Sequence, residues 1–157
     1  CTDAPRVHFV THSLGGILVR GYLAKRRPAN LGRVVMLAPP NGGSELVDEL
    51  GDWPLFSWIL GPTATQLGTD EDSFPKRLPP ADFDLGVIAG TASVNPIGSA
   101  ILPAGNDGTV SVASTRVAGM RDFVELPVSH TFILWSDDAA DQVVAFLRNG
   151  RFAARYE

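Results

Sequence analysis

The feature that constrains this chain most is the run Arg6-Val7-His8-Phe9-Val10-Thr11 passing almost directly into Leu14, Ile17, Leu18 and Tyr22, with only His12 and Ser13 between. The first stretch follows Pro5, is rich in β-branched and aromatic residues, and reads as a strand. The second repeats apolar side chains every three or four residues and reads as a helix. Lys25, Arg26 and Arg27 oppose its dipole at the end, and Pro28 stops it. A strand that becomes a helix so abruptly needs small residues at the bend, which Gly15-Gly16 supplies. A unit of this kind points to an α/β architecture.

The rest of the chain extends that reading. Arg33-Val34-Val35-Met36-Leu37-Ala38 is a continuous apolar run, as expected of a strand covered on both faces of a parallel sheet, and Pro39-Pro40-Asn41-Gly42-Gly43 ends it. From Ser44 to Asp82 the periodicity is poor. Ser44 to Leu50 predicts a short helix with Ser44 as N-cap, while Pro54, Pro62, Pro75, Pro79 and Pro80 forbid any long element. Asp84 to Gly90 is again strand-like. A loop rich in Gly, Pro and Asn runs to Gly108, followed by Thr109-Val110-Ser111-Val112 and a further strand from Asp122 to Val128. Asp137-Asp138 opens a last helix with Ala140, Val143, Val144 and Leu147 on one face, stopped near Asn149-Gly150. The order predicts an α/β fold with a mainly parallel sheet flanked by helices, in one domain over 1–157 with a small excursion over 41–82.

Composition then removes several classes of function. A chain of 157 residues suffices for one core. Its net charge is −4 and its longest basic block is Lys25-Arg26-Arg27, which argues against nucleic acid as a partner. The longest apolar stretch, Trp53 to Leu60, is broken by Pro54 and falls far short of the roughly 20 residues of a membrane helix. The single cysteine, Cys1, offers neither an internal disulfide nor a cysteine metal cage and is compatible with a reducing, cytoplasmic setting. His8, His12 and His130 show no ligand spacing, and Asp70-Glu71-Asp72 reads as a solvated acidic loop rather than a calcium site. No phosphate loop or dinucleotide fingerprint is present, so no cofactor is expected. The chain opens without Met and is within a strand by its tenth residue, which reads as a fragment.

Chemistry concentrates at Thr11-His12-Ser13-Leu14-Gly15-Gly16. A sharp strand-to-helix turn exposes the Ser13 hydroxyl above the sheet, and the new helix aims free backbone N–H groups, first that of Leu14, at an oxyanion forming on a substrate. The segment Val10-Thr11-His12-Ser13-Leu14-Gly15-Gly16-Ile17-Leu18-Val19-Arg20 resembles the nucleophile elbow of α/β-hydrolases of the lipase and esterase kind, with Thr11 where the family usually has its first glycine. The resemblance covers Val7 to about Arg148 and matches the C-terminal part of such enzymes. It implies a Ser-Asp-His order along the chain. Asn106-Asp107-Gly108-Thr109-Val110 resembles the turn that carries the acid, and His130, after the strand ending at Val128, stands where the family has its base. It also implies further strands and a second oxyanion donor upstream of Cys1, and a cap or lid at the excursion over 41–82.

Each residue has a plainer reading: Ser13 as a helix N-cap, Asp107-Gly108 as a tight turn, His130 as a structural histidine. Alternation along the strand turns His12 away from Ser13, and His8 reads as buried in the sheet, so both are expected to be structural. Asp82 and Asp84 precede their strand, at the wrong edge of a parallel sheet for catalysis. The implied reaction is hydrolysis of small-molecule or lipid acyl esters. Trp53, Leu55, Phe56, Trp58, Ile59 and Leu60 are candidates either to line an acyl cleft or to pack the cap. An acyltransferase with the same three residues, or a noncatalytic binding domain, are the alternatives.

Overall fold

The computed structural model describes residues 3–50 and 66–154. Four strands, β1 (Val7–His12), β2 (Leu31–Leu37), β3 (Leu85–Gly90) and β4 (Asp122–Leu126), lie side by side in that order, every neighbouring pair parallel. The helices are α1 (Leu14–Lys25), α2 (Glu45–Leu50), α3 (Phe74–Arg77), α4 (Pro96–Ile101), α5 (Val112–Thr115) and α6 (Asp137–Asn149), with a 3₁₀ turn at Phe132–Trp135.

The unbroken apolar run of β2 is explained by cover on both faces. Val34 and Met36 join Leu85, Val87 and Leu23 on the side of α1, while Val35 and Leu37 join Ile88, Ala139, Phe146 and Phe152 on the side of α6. Burying each such side chain is worth about 1.5–3 kcal/mol, so β2 and β3 anchor the fold. Gly86 makes the α6 side possible: a Cβ there would stand 2.7 Å from Phe146 and 2.8 Å from Phe152, whose rings pack 5.0 Å apart.

The elements depart from expectation where local chemistry or packing overrides periodicity. The helix α1 ends at Lys25, because Arg26 is extended and Pro28 disfavours helical geometry at Arg27, which pairs instead with Asp82. Its buried face is Gly16, Ile17, Arg20 and Leu23, whereas Leu18 and Tyr22 are exposed. Likewise α6 buries Ala139, Gln142 and Phe146, with Val143 and Leu147 half-buried, and leaves Ala140 and Val144 exposed. The expected loop before Gly108 contains α4, started by Pro96 and capped by Asn95, whose side chain accepts from the Gly98 N–H at 3.2 Å. Inside the excursion, α3 forms around Pro75. The strand β4 stops at Leu126, before Pro127, and Ala38 leaves β2 with φ +46°.

His8 is half-buried rather than buried; its Nδ1 accepts the Arg33 N–H at 2.9 Å where the β1–β2 pairing is irregular. The described ends of the excursion are tied to each other. Ser44 N–H donates to Leu67 O at 2.8 Å, and the Asp48 carboxylate accepts from Thr69 N–H at 3.0 Å. Trp53, Leu55, Phe56, Trp58, Ile59 and Leu60 lie outside the described residues.

Candidate active site

Ser13 occupies the turn between β1 and α1 with φ 53° and ψ −128°, a conformation few non-glycine residues adopt. Its own N–H donates to Leu37 O at 2.9 Å, fixing the turn to the end of β2. Although Ser13 stands at the N-cap position, its side chain makes no cap hydrogen bond. The hydroxyl instead meets His130 Nε2 at 3.0 Å. That geometry removes the plain capping reading of this serine.

Asp107 sits in the long connection between β3 and β4, its side chain only 1% exposed. One carboxylate oxygen, Oδ1, accepts the N–H groups of Thr109 at 2.9 Å and Val110 at 2.7 Å. The other, Oδ2, accepts from His130 Nδ1 at 2.8 Å. Gly90, at the end of β3, leaves room for this carboxylate, since a Cβ would lie 2.8 Å from Asp107 Cβ. His130 follows β4 and is held by its backbone N–H on Asp107 O at 3.0 Å. With Nδ1 donating to the carboxylate, Nε2 is left to accept a hydrogen bond from the Ser13 hydroxyl. All three residues follow the C-terminal ends of parallel strands, where loops of an open α/β sheet converge.

Asp82 and Asp84 lie at the opposite ends of the strands, paired with Arg27 and with Arg33 and Arg121. Asp70, Glu71 and Asp72 are exposed, and Glu71 pairs with Lys76. Among the described residues no group of three or more His, Cys, Asp or Glu side chains is placed to hold a metal ion.

His12 has a partner far along the chain. It does not bond Ser13, but its Nε2 bonds the backbone carbonyl of His130 at 2.9 Å, and the two rings lie 4.7 Å apart. Burial, and then the proximity of His130, push its pKa below the ordinary 6.5, against weaker opposing effects of the His130 carbonyl and Asp107. A second group missed from sequence is Arg20. This buried guanidinium on α1 donates to Asn41 Oδ1 at 3.0 Å and to the carbonyls of Leu78 and Pro79, and burial lowers its pKa. Asn41 in turn donates to Thr115 O at 2.8 Å, joining α1 to the segment that follows the Asp107 loop. A basic residue on an otherwise apolar helix stripe was the available signal for Arg20.

Beside Ser13 and His130 opens a cavity of about 250 Å³, lined mainly by Leu14, Pro40, Leu46, Val47, Leu67 and Val110. Its wall joins both described ends of the excursion to the Asp107 loop.

The described strands form a four-stranded, all-parallel sheet flanked by helices, and its likeness to solved structures shows the α/β-hydrolase fold. The mature form of a Bacillus licheniformis lipase is similar at 21% identity and a TM-score of 0.63, over 92% of this chain and 65% of that one. A carboxyl esterase of metagenomic origin is similar at 23% identity and a TM-score of 0.62, over 80% of this chain and 45% of that one. Phospholipase PlaB from Legionella pneumophila is similar at 23% and 0.51, over 82% and 37%. This chain thus spans less than two thirds of the length of these structures. No family model matches the sequence, and no curated protein does.

Proposed function

We propose that this chain is the nucleophile-bearing part of a carboxylic ester hydrolase in which Ser13 attacks, His130 is the general base, Asp107 orients the imidazole and the Leu14 N–H receives the oxyanion. The observation that carries the reading is the unbroken relay of side chains from Ser13 Oγ through His130, 3.0 Å away, to Asp107 at 2.8 Å. In this scheme His130 Nε2 takes the hydroxyl proton as Ser13 Oγ bonds the ester carbonyl carbon, and returns it to the departing alcohol. Water, deprotonated by the same nitrogen, then cleaves the acyl-enzyme. Asp107 keeps Nδ1 protonated and stabilises the imidazolium, and its fixed N–H partners leave it no need to reorganise.

The apolar cavity beside Ser13 supports an uncharged acyl group as the part of the substrate that enters the chain. Fold similarity to a lipase, a carboxyl esterase and a phospholipase agrees with esters as the substrate class. The 41–82 excursion, whose described ends wall this cavity, fits a cap-like insertion within one domain.

The test uses the full-length protein with p-nitrophenyl esters of increasing chain length. Wild type is expected to turn over, while Ser13→Ala and Asp107→Asn lose roughly 10⁴-fold or more in kcat. Equal turnover by wild type and Ser13→Ala would sink the proposal, as would failure of a fluorophosphonate to label Ser13. Adding an alcohol acceptor separates hydrolysis from acyl transfer by the product formed.

A further inference from the structure

Two adjacent residues of one turn both reach His130, more than a hundred positions away in the chain. Ser13 meets its Nε2 at 3.0 Å, and His12 meets its backbone carbonyl at 2.9 Å. A carbonyl only accepts, so His12 Nε2 carries the proton of that bond. The other polar groups of His130 face the acid: its N–H bonds Asp107 O and its Nδ1 bonds Asp107 Oδ2. The base is therefore gripped from the acid's side by its N–H and from the nucleophile's side by its C=O.

The need for the second grip follows from topology. His130 follows β4, whereas Ser13 follows β1, and these strands are at opposite ends of the four-stranded order. Three strand spacings of about 4.8 Å put roughly 14 Å between them, so the segment after Leu126 must lean across the sheet. Among the described residues, the backbone hydrogen bonds of 127–130 run to Leu126, Ala92, Ile133 and Asp107, and none of these partners lies on β1. The His12 bond is what attaches the segment to β1. The His12 ring also lies against the imidazole of His130, 4.7 Å away and tilted 45° to it.

We propose that His12 is a positioning residue, fastening the loop of the base to the strand of the nucleophile so that His130 Nε2 stays within reach of Ser13. The proposal rests on the ester-hydrolase reading. Its neutral state suits the task, because burial keeps a second positive charge from standing beside the imidazolium that forms on His130.

The test compares wild type, His12→Gln and His12→Phe in the full-length protein. Glutamine keeps a donor at the ε position, and phenylalanine keeps the ring volume without one. On p-nitrophenyl butyrate, His12→Phe is expected to lose roughly 10- to 100-fold in kcat with KM within about twofold, and His12→Gln to stay within about fivefold of wild type. Wild-type kcat in His12→Phe, or equal losses in both variants, would overturn the positioning role. A second readout needs no turnover: the downfield proton NMR signal of His130 Nδ1–H on Asp107. It should remain sharp in wild type and His12→Gln and broaden through solvent exchange in His12→Phe; an unchanged signal in His12→Phe rejects the proposal. If wild type neither cleaves esters nor reacts with a fluorophosphonate, the hydrolase reading fails by itself, and the proton spectrum still decides what His12 does.

Discussion

Thr11, His12 and Ser13 each carry a local cost, and the three costs fall on consecutive residues. Thr11 Oγ1 is buried without a hydrogen-bond partner among the described residues, which typically costs about 1–3 kcal/mol. Ser13 adopts a positive φ that favours glycine. His12 is held in surroundings that disfavour its charge, burial first and the proximity of His130 second, with the His130 carbonyl and Asp107 opposing. For His12 the sign of the linkage is definite. Its folded pKa lies below 6.5, so the unfolded chain takes up the proton first as pH falls. The stability this group contributes is complete above its unfolded value and is lost as pH drops through the folded one. His12→Gln removes that titration and leaves His130 and Asp107 in place. The melting temperature of wild type minus that of His12→Gln is therefore expected to shrink from about pH 8 to about pH 5. Thermal melts over that range check it, and a constant difference would assign the acid sensitivity elsewhere.

At the level of elements, hydrophobic periodicity located helices better than it oriented them. The ends of α6 were legible: acidic residues fill its first turn, and Gly150 stops it with φ +73°. Its rotation was not, because Ala140, Val143, Val144 and Leu147 form as good a stripe in sequence as the face that is buried. What selects the true face is Phe146, packed with Phe152 over Gly86, a tertiary contact that no local pattern reveals. The same held for α1, where Arg20 interrupts the buried stripe. Ser13 was legible as a candidate from the strand-to-helix bend, and Asp107 and His130 from the resemblance of their segments to those of α/β-hydrolases. His12 was not, because its partner is a backbone carbonyl remote in sequence. The Gly86 contact is testable. Gly86→Ala is expected to cost about 1–3 kcal/mol by overpacking. Phe152→Leu introduced with it should recover part of that loss, because a smaller side chain then faces the new methyl. Urea denaturation of the two single variants and the double variant measures this; strictly additive losses would mean that the ring and the glycine do not share the space.

On the scale of the whole molecule, exposed apolar side chains sit on β1 and on the two helices α1 and α6. Val10 on β1 is 48% exposed, Leu18 and Tyr22 of α1 are 59% and 45%, and Val144 of α6 is 44%. The Tyr22 ring lies 6.4 Å from that of Phe9 of β1 and tilted to it, and Val10 shares a groove with Leu134, Ala140 and Val144. Both helices thus present apolar flanks beside β1, which pairs on one side only among the described residues. An edge strand with free N–H and C=O groups, bordered by apolar surface, is a template for pairing with another chain. Residues 1–157 expressed alone are accordingly expected to self-associate in a concentration-dependent way. Val10→Lys together with Val144→Lys should suppress this, since lysine at the edge and in the groove would have to be desolvated in any pairing, while neither position contributes a buried core contact in this chain. Sedimentation velocity over a range of concentrations reads the outcome. A wild-type segment that stays monomeric at high concentration would show that the edge is protected, and association unchanged by the two lysines would move the contact away from β1.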